Sequence, residues 1–352
     1  MLVMARWMRD AGHHVDVVVP AGTPAWQQGL EWGLSMVSAP PISKIGGKRH
    51  AGVWARGMKA DVIWIRDRRD LEWAGHLANS LGAALVMQQA MQIPRPKKMP
   101  WHLLRYRRVD AWVTGLEWLK RECITKTPIS EHRCHVLPLP LDERWFTTKA
   151  VAKNEAQQAL ELKLPEDVFL MGTVGRLDVG KGQRDALRAL AQLPPHVHWL
   201  FVGDNTTNND ADEHRLLRET ARELGVTSRS HFIPGQPDVL PVYDALDGFA
   251  MTSTAETIGT VTLEAMARRV PVIGTDAGGT SEILAEGRGL LYPPGDADAL
   301  AESIQALTLT SPEAQASAID QAHDYVQSCR PQHLVPAWNE LLDLLVQSRR
   351  KA

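Results

Sequence analysis

Two carboxylates stand out in the stretch from Thr252 to Leu284, TSTAETIGTVTLEAMARRVPVIGTDAGGTSEIL, where Glu256 and Glu264 are separated by seven residues. The strand-like run GFAMTS ends just before Glu256, and a helix is expected to begin near Thr260. Glu256 therefore belongs to a loop and Glu264 lies about one turn inside the helix. Eight residues at helical rise put the two up to roughly 12 Å apart, beyond the roughly 5 to 9.5 Å of a glycosidase acid–base pair. Gly259 and the amides at the helix start form an anion site between them, because unpaired N–H groups and the helix dipole both favour negative charge. A carboxylate accepts strongly from sugar hydroxyls, so two of them flanking a phosphate site suggest a ligand of the nucleotide-sugar type.

The segment MGTVGRLDVGKGQRDAL supplies cations for that phosphate, with Arg176 and Lys181 on a glycine-rich loop between a strand and a helix. Two such cations can converge on a diphosphate, although either segment alone is equally a solvated loop. The loop also imitates a P-loop, with Gly175, four residues, Gly180 and Lys181. Gly182 follows where a magnesium-holding Ser or Thr is required, which disfavours a triphosphatase. Asp210 and Asp212 have an Asp-x-Asp spacing that metal-dependent transferases use, but the polar run NTTNNDADEH reads better as a loop and a helix cap.

The elements that must position these residues follow from apolar patterning. HVDVVVP, DVIWIR, ALVMQQ and AWVTG in the first half, and FLMGTVG, HVHWLFVG, HFIPG, GFAMTS and VPVIGT in the second, alternate with helical stretches. Helices are expected over GQRDALRALAQL, DEHRLLRETARELG, TVTLEAMARR and DADALAESIQAL, the last with Asp296 and Asp298 at its start. This alternation predicts two α/β doubly wound domains, and the polar, Pro-dotted segment 139–158 is the best linker between them. The opening MLVMARWMRDAG reads as a helix stopped by Gly12, where a first strand and glycine-rich turn are expected. Either the sequence starts about 15 to 25 residues late, or the domain is rearranged to do without that strand.

The whole chain sets outer bounds. With 352 residues, 44% hydrophobic and 23% charged, it has the composition of a soluble globular protein of two domains. A net charge of -2 excludes global attraction to nucleic acid or anionic membrane. No apolar run reaches the roughly 18 residues of a membrane span. Three cysteines, Cys123, Cys134 and Cys329, lack CxxC spacing and fit a reducing cytosol better than a disulfide framework or zinc site.

Taken together, Arg176, Lys181 and Gly182, Glu256 through Glu264, EAMA, PVIGTDAGG and Glu282 resemble the retaining glycosyltransferases of family 4, over almost the whole chain. The resemblance implies the GT-B fold, two Rossmann-like domains facing across a cleft. An incomplete acceptor-side domain would span 1–145, a nucleotide-sugar domain 146–328, and a final helix at 329–352 would pack back on the first. It implies that Arg176, Lys181 and Glu256 are catalytic, the cations stabilising the departing diphosphate and Glu256 contacting the donor sugar. Glu264 would hold the ribose. Gly175, Gly182, Ile258, Gly259, Thr260, Val261, Gly278, Gly279 and Glu282 would complete the donor site, the Gly278–Gly279 turn shaping the pocket. No cofactor and no metal are implied; the nucleotide diphosphate sugar is the donor substrate. Asn205 departs from the family's usual glycine, Thr257 and Ile258 from its usual Gly-Phe, and Gln88, Gln89 and Gln92 stand where many members carry a histidine.

The activity implied is transfer of a sugar, with retention, to a hydroxyl of a cell-envelope glycoconjugate such as lipopolysaccharide core or a surface polysaccharide. The alternative is a catalytically degenerate nucleotide-sugar-binding protein. A nicotinamide oxidoreductase is disfavoured because no GxGxxG follows a first strand. Residues 93–126 carry nine Lys or Arg against three Asp or Glu, interleaved with Trp101, Tyr106, Trp112 and Trp118. That pattern suits peripheral contact with an anionic membrane or a phosphorylated glycolipid, and equally a solvated helix face with core tryptophans. The expected location is the cytoplasm, at the inner face of the cytoplasmic membrane if that contact is made; no nucleic-acid motif accompanies the patch.

Overall fold

The computed structural model describes residues 1–38, 57, 59–205 and 212–351. They fall into two compact units, Met1–Asp142 with Ser328–Ala352, and Glu143–Gln327.

The first unit opens on α1 (Leu2–Asp10), whose Met4, Trp7 and Met8 share one buried face. Beyond it the chain turns at Gly12, whose φ of +96° only glycine adopts readily. β1 (Asp16–Val19), α2 (Pro24–Glu31) and β2 (Ser35–Ser38) follow, and the two strands pair in parallel. Then come β3 (Val62–Ile65), α3 (Leu71–Leu81), β4 (Ala84–Gln88), α4 (Pro100–Tyr106), β5 (Ala111–Thr114), α5 (Glu117–Lys126) and β6 (Cys134–Val136). The last four strands make a parallel sheet in the order β3-β4-β5-β6, separate from the β1-β2 pair. Every residue of β4 and β5 is buried, as expected for parallel strands covered on both faces.

The second unit runs through α6 (Arg144–Thr147), α7 (Lys153–Ala159), β7 (Phe169–Val174), α8 (Gln183–Gln192), β8 (Val197–Val202), α9 (Glu213–Glu223), β9 (Ser230–Ile233) and α10 (Leu240–Asp244). It continues with β10 (Gly248–Met251), α11 (Thr260–Ala267), β11 (Val272–Thr275), α12 (Gly278–Leu284), β12 (Leu290–Tyr292), α13 (Ala297–Leu309) and α14 (Pro312–Gln327). Its strands are all parallel, in the order β12-β11-β10-β7-β8-β9. Trp199 and Phe201 of β8 pack with Leu187 and Leu190 of α8 and Leu300 and Ile304 of α13 in one core. The segment 139–158 is not bare linker, since it holds α6 and most of α7. It is fastened to the second unit where Arg268 donates to the Thr148 carbonyl at 2.7 Å and Lys153 to the Val168 carbonyl at 3.0 Å.

The final helix, α15 (Pro331–Lys351), belongs to the first unit. Leu334, Trp338, Leu341 and Leu342 pack with Met4, Trp7 and Met8 of α1 and with Val86, Ala111 and Val113 of the sheet. Trp338 stacks on Trp64 at 3.9 Å between ring centroids, and Arg349 holds Asp110 at 2.8 and 3.0 Å. No helix among the described residues is long and apolar enough to cross a membrane.

Candidate donor site at the switch point of the second sheet

The strand order of the second unit reverses between β7 and β10, because the chain runs outward through β8 and β9 before returning to the other side of β7. Loops leaving the carboxyl ends of two strands at such a point diverge and open a crevice. Here the loop after β7 carries Arg176 and Lys181, and the loop after β10 carries Glu256. A cavity of about 210 Å³ lies between them, lined by Gly175, Arg176, Lys181 and Gln183 from one side and Glu256, Gly259, Thr260 and Val261 from the other.

Lys181 Nζ donates to Glu256 Oε2 at 2.7 Å, and Glu256 Oε1 accepts the Thr257 amide at 3.2 Å. Both carboxylate oxygens are therefore engaged. Arg176 is exposed, and its guanidinium has no hydrogen-bond or ion-pair partner among the described residues. At the start of α11, Gly259 takes φ +73° as the cap, and the Thr260 and Val261 amides have no acceptor among the described residues. One crevice thus gathers a free guanidinium, an ammonium and two unpaired amides, a donor set suited to an oxyanion.

Two glycines of the site are required by close approach. Gly182 has φ +69°, and a Cβ there would lie 2.0 Å from the Thr252 carbonyl oxygen. That contact exists because the cation loop is stapled to the end of β10, where the Thr252 hydroxyl donates to the Lys181 carbonyl at 2.6 Å. Gly182 is thus a steric necessity of this loop, which explains the absence of a P-loop Ser or Thr. Gly278 has φ +56°, and its Cβ would meet the Glu256 carbonyl oxygen at 2.2 Å. Next to it the Gly279 amide donates to that same oxygen at 3.0 Å. Gly278 and Gly279 begin α12 and pack against the backbone of Glu256, itself part of the cavity lining.

Glu264 does not line this cavity. It sits on α11 where the Tyr243 hydroxyl of α10 donates to its Oε2 at 2.8 Å and lies 3.3 Å from the Val261 carbonyl. Burial pushes the Glu264 carboxyl up, opposed by the Tyr243 hydrogen bond and by the charge of Arg144. The Tyr243 hydroxyl is driven well above its ordinary range, first by burial and then by the Glu264 charge. Gly182, Ile258 and Glu282 also stand outside the cavity lining. Ile258 is buried, and the Glu282 carbonyl accepts from Arg288 at 2.8 Å.

The sequence reading missed Tyr243, Thr252 and Gln183. Gln183, buried at the start of α8, donates to the Arg176 carbonyl at 2.9 Å and so fixes the loop that displays the guanidinium. Nothing in GQRDAL or LPVYDAL marks these residues, because their roles come from contacts with distant segments. Asp210 lies outside the described residues. Asp212 caps α9, its carboxylate accepting the Arg215 amide at 3.1 Å, and Asn205 donates to the same carboxylate at 2.9 Å.

In the first unit the aromatic residues of 93–126 separate. Trp112 and Tyr106 are core, whereas Trp101, Leu103 and Leu104 of α4 are 61%, 52% and 55% exposed. Gln89 is buried in a network, accepting from Trp112 Nε1 at 2.8 Å and donating to Glu122 at 3.0 Å. Glu122 also takes the Ile93 amide at 2.9 Å and Lys126 at 2.8 Å.

The chain is similar over 160 residues, at 32% identity, to the lipopolysaccharide core biosynthesis glycosyltransferase LpsE of Rhizobium meliloti (strain 1021), covering 45% of this chain and 44% of that protein. Over 172 residues it is 34% identical to the putative teichuronic acid biosynthesis glycosyltransferase TuaC of Bacillus subtilis (strain 168), covering 48% of this chain and 40% of that one. The chain thus spans less than half the length of either curated relative. Among solved structures, Anabaena Alr3699/HepE in complex with UDP superposes with a TM-score of 0.84 over 97% of this chain and 94% of its own, at 22% identity. Such a likeness shows the fold, GT-B, with its two Rossmann-like α/β domains. Residues 154–324, the greater part of the second unit, match the family of glycosyl transferases group 1.

Proposed function

We propose that this chain is a retaining glycosyltransferase of family 4 that moves a sugar from a nucleotide diphosphate donor to a hydroxyl of a cell-envelope glycoconjugate. The observation that carries the proposal is the convergence at one switch-point crevice of Arg176, the Lys181–Glu256 pair and the unpaired Thr260 and Val261 amides. The similarity to glycosyltransferases of envelope polymers supports the substrate class.

In this reading the diphosphate lies against Arg176, Lys181 and the α11 amides, whose preorganised charge meets the negative charge that grows as the donor bond breaks. The acceptor hydroxyl adds to the anomeric carbon on the face the diphosphate leaves, and a diphosphate oxygen takes the hydroxyl proton. Glu256 is a sugar ligand, held by Lys181 and by its own backbone contact to Gly279. Glu264 takes the ribose, with Tyr243 fixing its second oxygen. The scheme calls for no metal and no cofactor.

The exposed Trp101, Leu103 and Leu104, with the exposed cations Arg95, Lys98 and Arg107 nearby in sequence, support peripheral contact of residues 93–126 with an anionic membrane. Turnover of a panel of nucleotide sugars, after a thermal-shift screen for the one that stabilises the chain, tests the main proposal. A Glu256→Ala variant with undiminished transfer would overturn it. Failure to pellet with anionic vesicles at low salt removes the membrane contact alone.

A further inference from the structure

At the carboxyl edge of the β3-β4-β5-β6 sheet the structure gathers three cationic side chains and a histidine. Arg68 follows β3, Lys97 precedes α4, and His102 and Arg105 lie on α4. Arg105 Nη2 donates to the Arg68 carbonyl at 2.5 Å, and Arg68 Nη2 to the Gln92 carbonyl at 3.2 Å. These bonds tie the two guanidinium groups to one place while using only one nitrogen of each. The charges of Arg68 and Arg105 both act on the Tyr106 hydroxyl. The His102 ring contacts the Tyr106 ring edge-on at 6.0 Å, and burial with the charges of Lys97 and Arg105 disfavours its protonation.

Three nitrogens of this group, Arg68 Nη1, Arg105 Nε and His102 Nδ1, are enclosed yet have no hydrogen-bond partner among the described residues. Enclosed polar nitrogens are paired in nearly all proteins, so three orphans in one cluster point to a partner. Asp67, beside Arg68 and within reach of its charge, is held by hydrogen bonds from Arg69. A ligand that accepts several hydrogen bonds and carries negative charge would satisfy this group. The planar guanidinium fork matches a tetrahedral oxyanion, and the carboxyl edge of a parallel sheet is where such folds take ligands.

We propose that Arg68, Arg105, His102 and Lys97 form a phosphate-binding site on the first unit, which receives a phosphate monoester or diester. On the transferase reading, that group belongs to the acceptor, and the acceptor is phosphorylated. The same phosphate chemistry is offered by a lipid headgroup and by a soluble sugar or polyol phosphate.

The test is binding of inorganic phosphate to the full chain carrying Arg176→Ala and Lys181→Ala, so that the donor crevice does not contribute. Saturable stabilisation in a thermal melt is expected, and Arg68→Lys with Arg105→Gln should weaken it at least 10-fold. Arg68→Lys alone keeps the bond from Arg105 to the Arg68 backbone, and carries the test if the double change unfolds the unit. Phosphate binding that disappears with Arg176→Ala and Lys181→Ala, or that is unchanged by Arg68→Lys and Arg105→Gln, overturns the proposal. Pelleting with phosphatidylglycerol vesicles that inorganic phosphate competes away supports a lipid source. Competition by glycerol phosphate without pelleting supports a soluble one. None of these readouts needs turnover, so their failure is distinct from failure of the transferase reading.

Discussion

Replacing Tyr243 by Phe isolates one hydrogen bond beneath the proposed ribose site. The ring is fully buried and packs against Trp145 at 5.5 Å and Phe249 at 5.7 Å between centroids, so Phe fills the same space and only the hydroxyl is lost. That hydroxyl donates to Glu264 Oε2 at 2.8 Å. A hydrogen bond to a charged group contributes about 1.5 to 3 kcal/mol, which in a unit of this size lowers the melting temperature by about 3 to 12 °C. The effect has a defined pH signature. Burial already holds the Glu264 carboxyl above its ordinary range, and Tyr243 is the largest opposing influence, so its loss raises the carboxyl further. The penalty is present where Glu264 is ionised and fades as the pH falls through its folded-state pKa, since the protonated acid no longer needs the donor. Thermal melts of wild type and Tyr243→Phe at pH 8 and pH 5 measure it, alongside the donor KM, which should rise. Equal melting temperatures at pH 8, or a penalty that grows on acidification, would refute the reasoning.

Lys181→Ala should lower kcat/KM for the donor about 100- to 1,000-fold, the scale for removing one preorganised donor to a developing anion; steady-state turnover reads this. Gly182→Ser restores the P-loop residue but puts a Cβ 2.0 Å from the Thr252 carbonyl at φ +69°. It should cost at least about 1 to 2 kcal/mol and confer no magnesium dependence, as a melt and an activity assay with added magnesium would show. His198 and His231 stack at 5.2 Å, and burial lowers both, His231 to about 4. Because the unfolded chain takes up protons first, stability should fall as pH drops from 6.5 toward 4. After discount for partial exposure the loss is on the order of 1 kcal/mol, and His231→Phe should flatten the pH dependence in denaturant titrations.

Much of the second unit was legible because most of its strands are apolar runs and some of its helices carry their own start signal. Asp296, for example, does cap α13 through the Ala299 amide at 2.9 Å. The strands β2, β6 and β12 were not legible, since three or four residues bear no periodicity and exist only through pairing with neighbours. The aromatic run of 93–126 shows the same limit. Trp101 and Trp112 look alike in sequence, yet one is exposed on α4 and the other is buried and donates to Gln89.

What the sequence by itself determined was the α/β class and the residue types of the donor crevice, because glycine-rich loops, cations and helix starts are local features. The tertiary structure decided how they meet. The strand order brings the β7 and β10 loops together, and this, not the spacing of the two glutamates, pairs Glu256 with Lys181 and leaves Glu264 to Tyr243. Contacts between residues 75 and 21 positions apart carry no signature in either segment. They depend on sheet order, and so do the enclosed, unpartnered nitrogens of Arg68, Arg105 and His102.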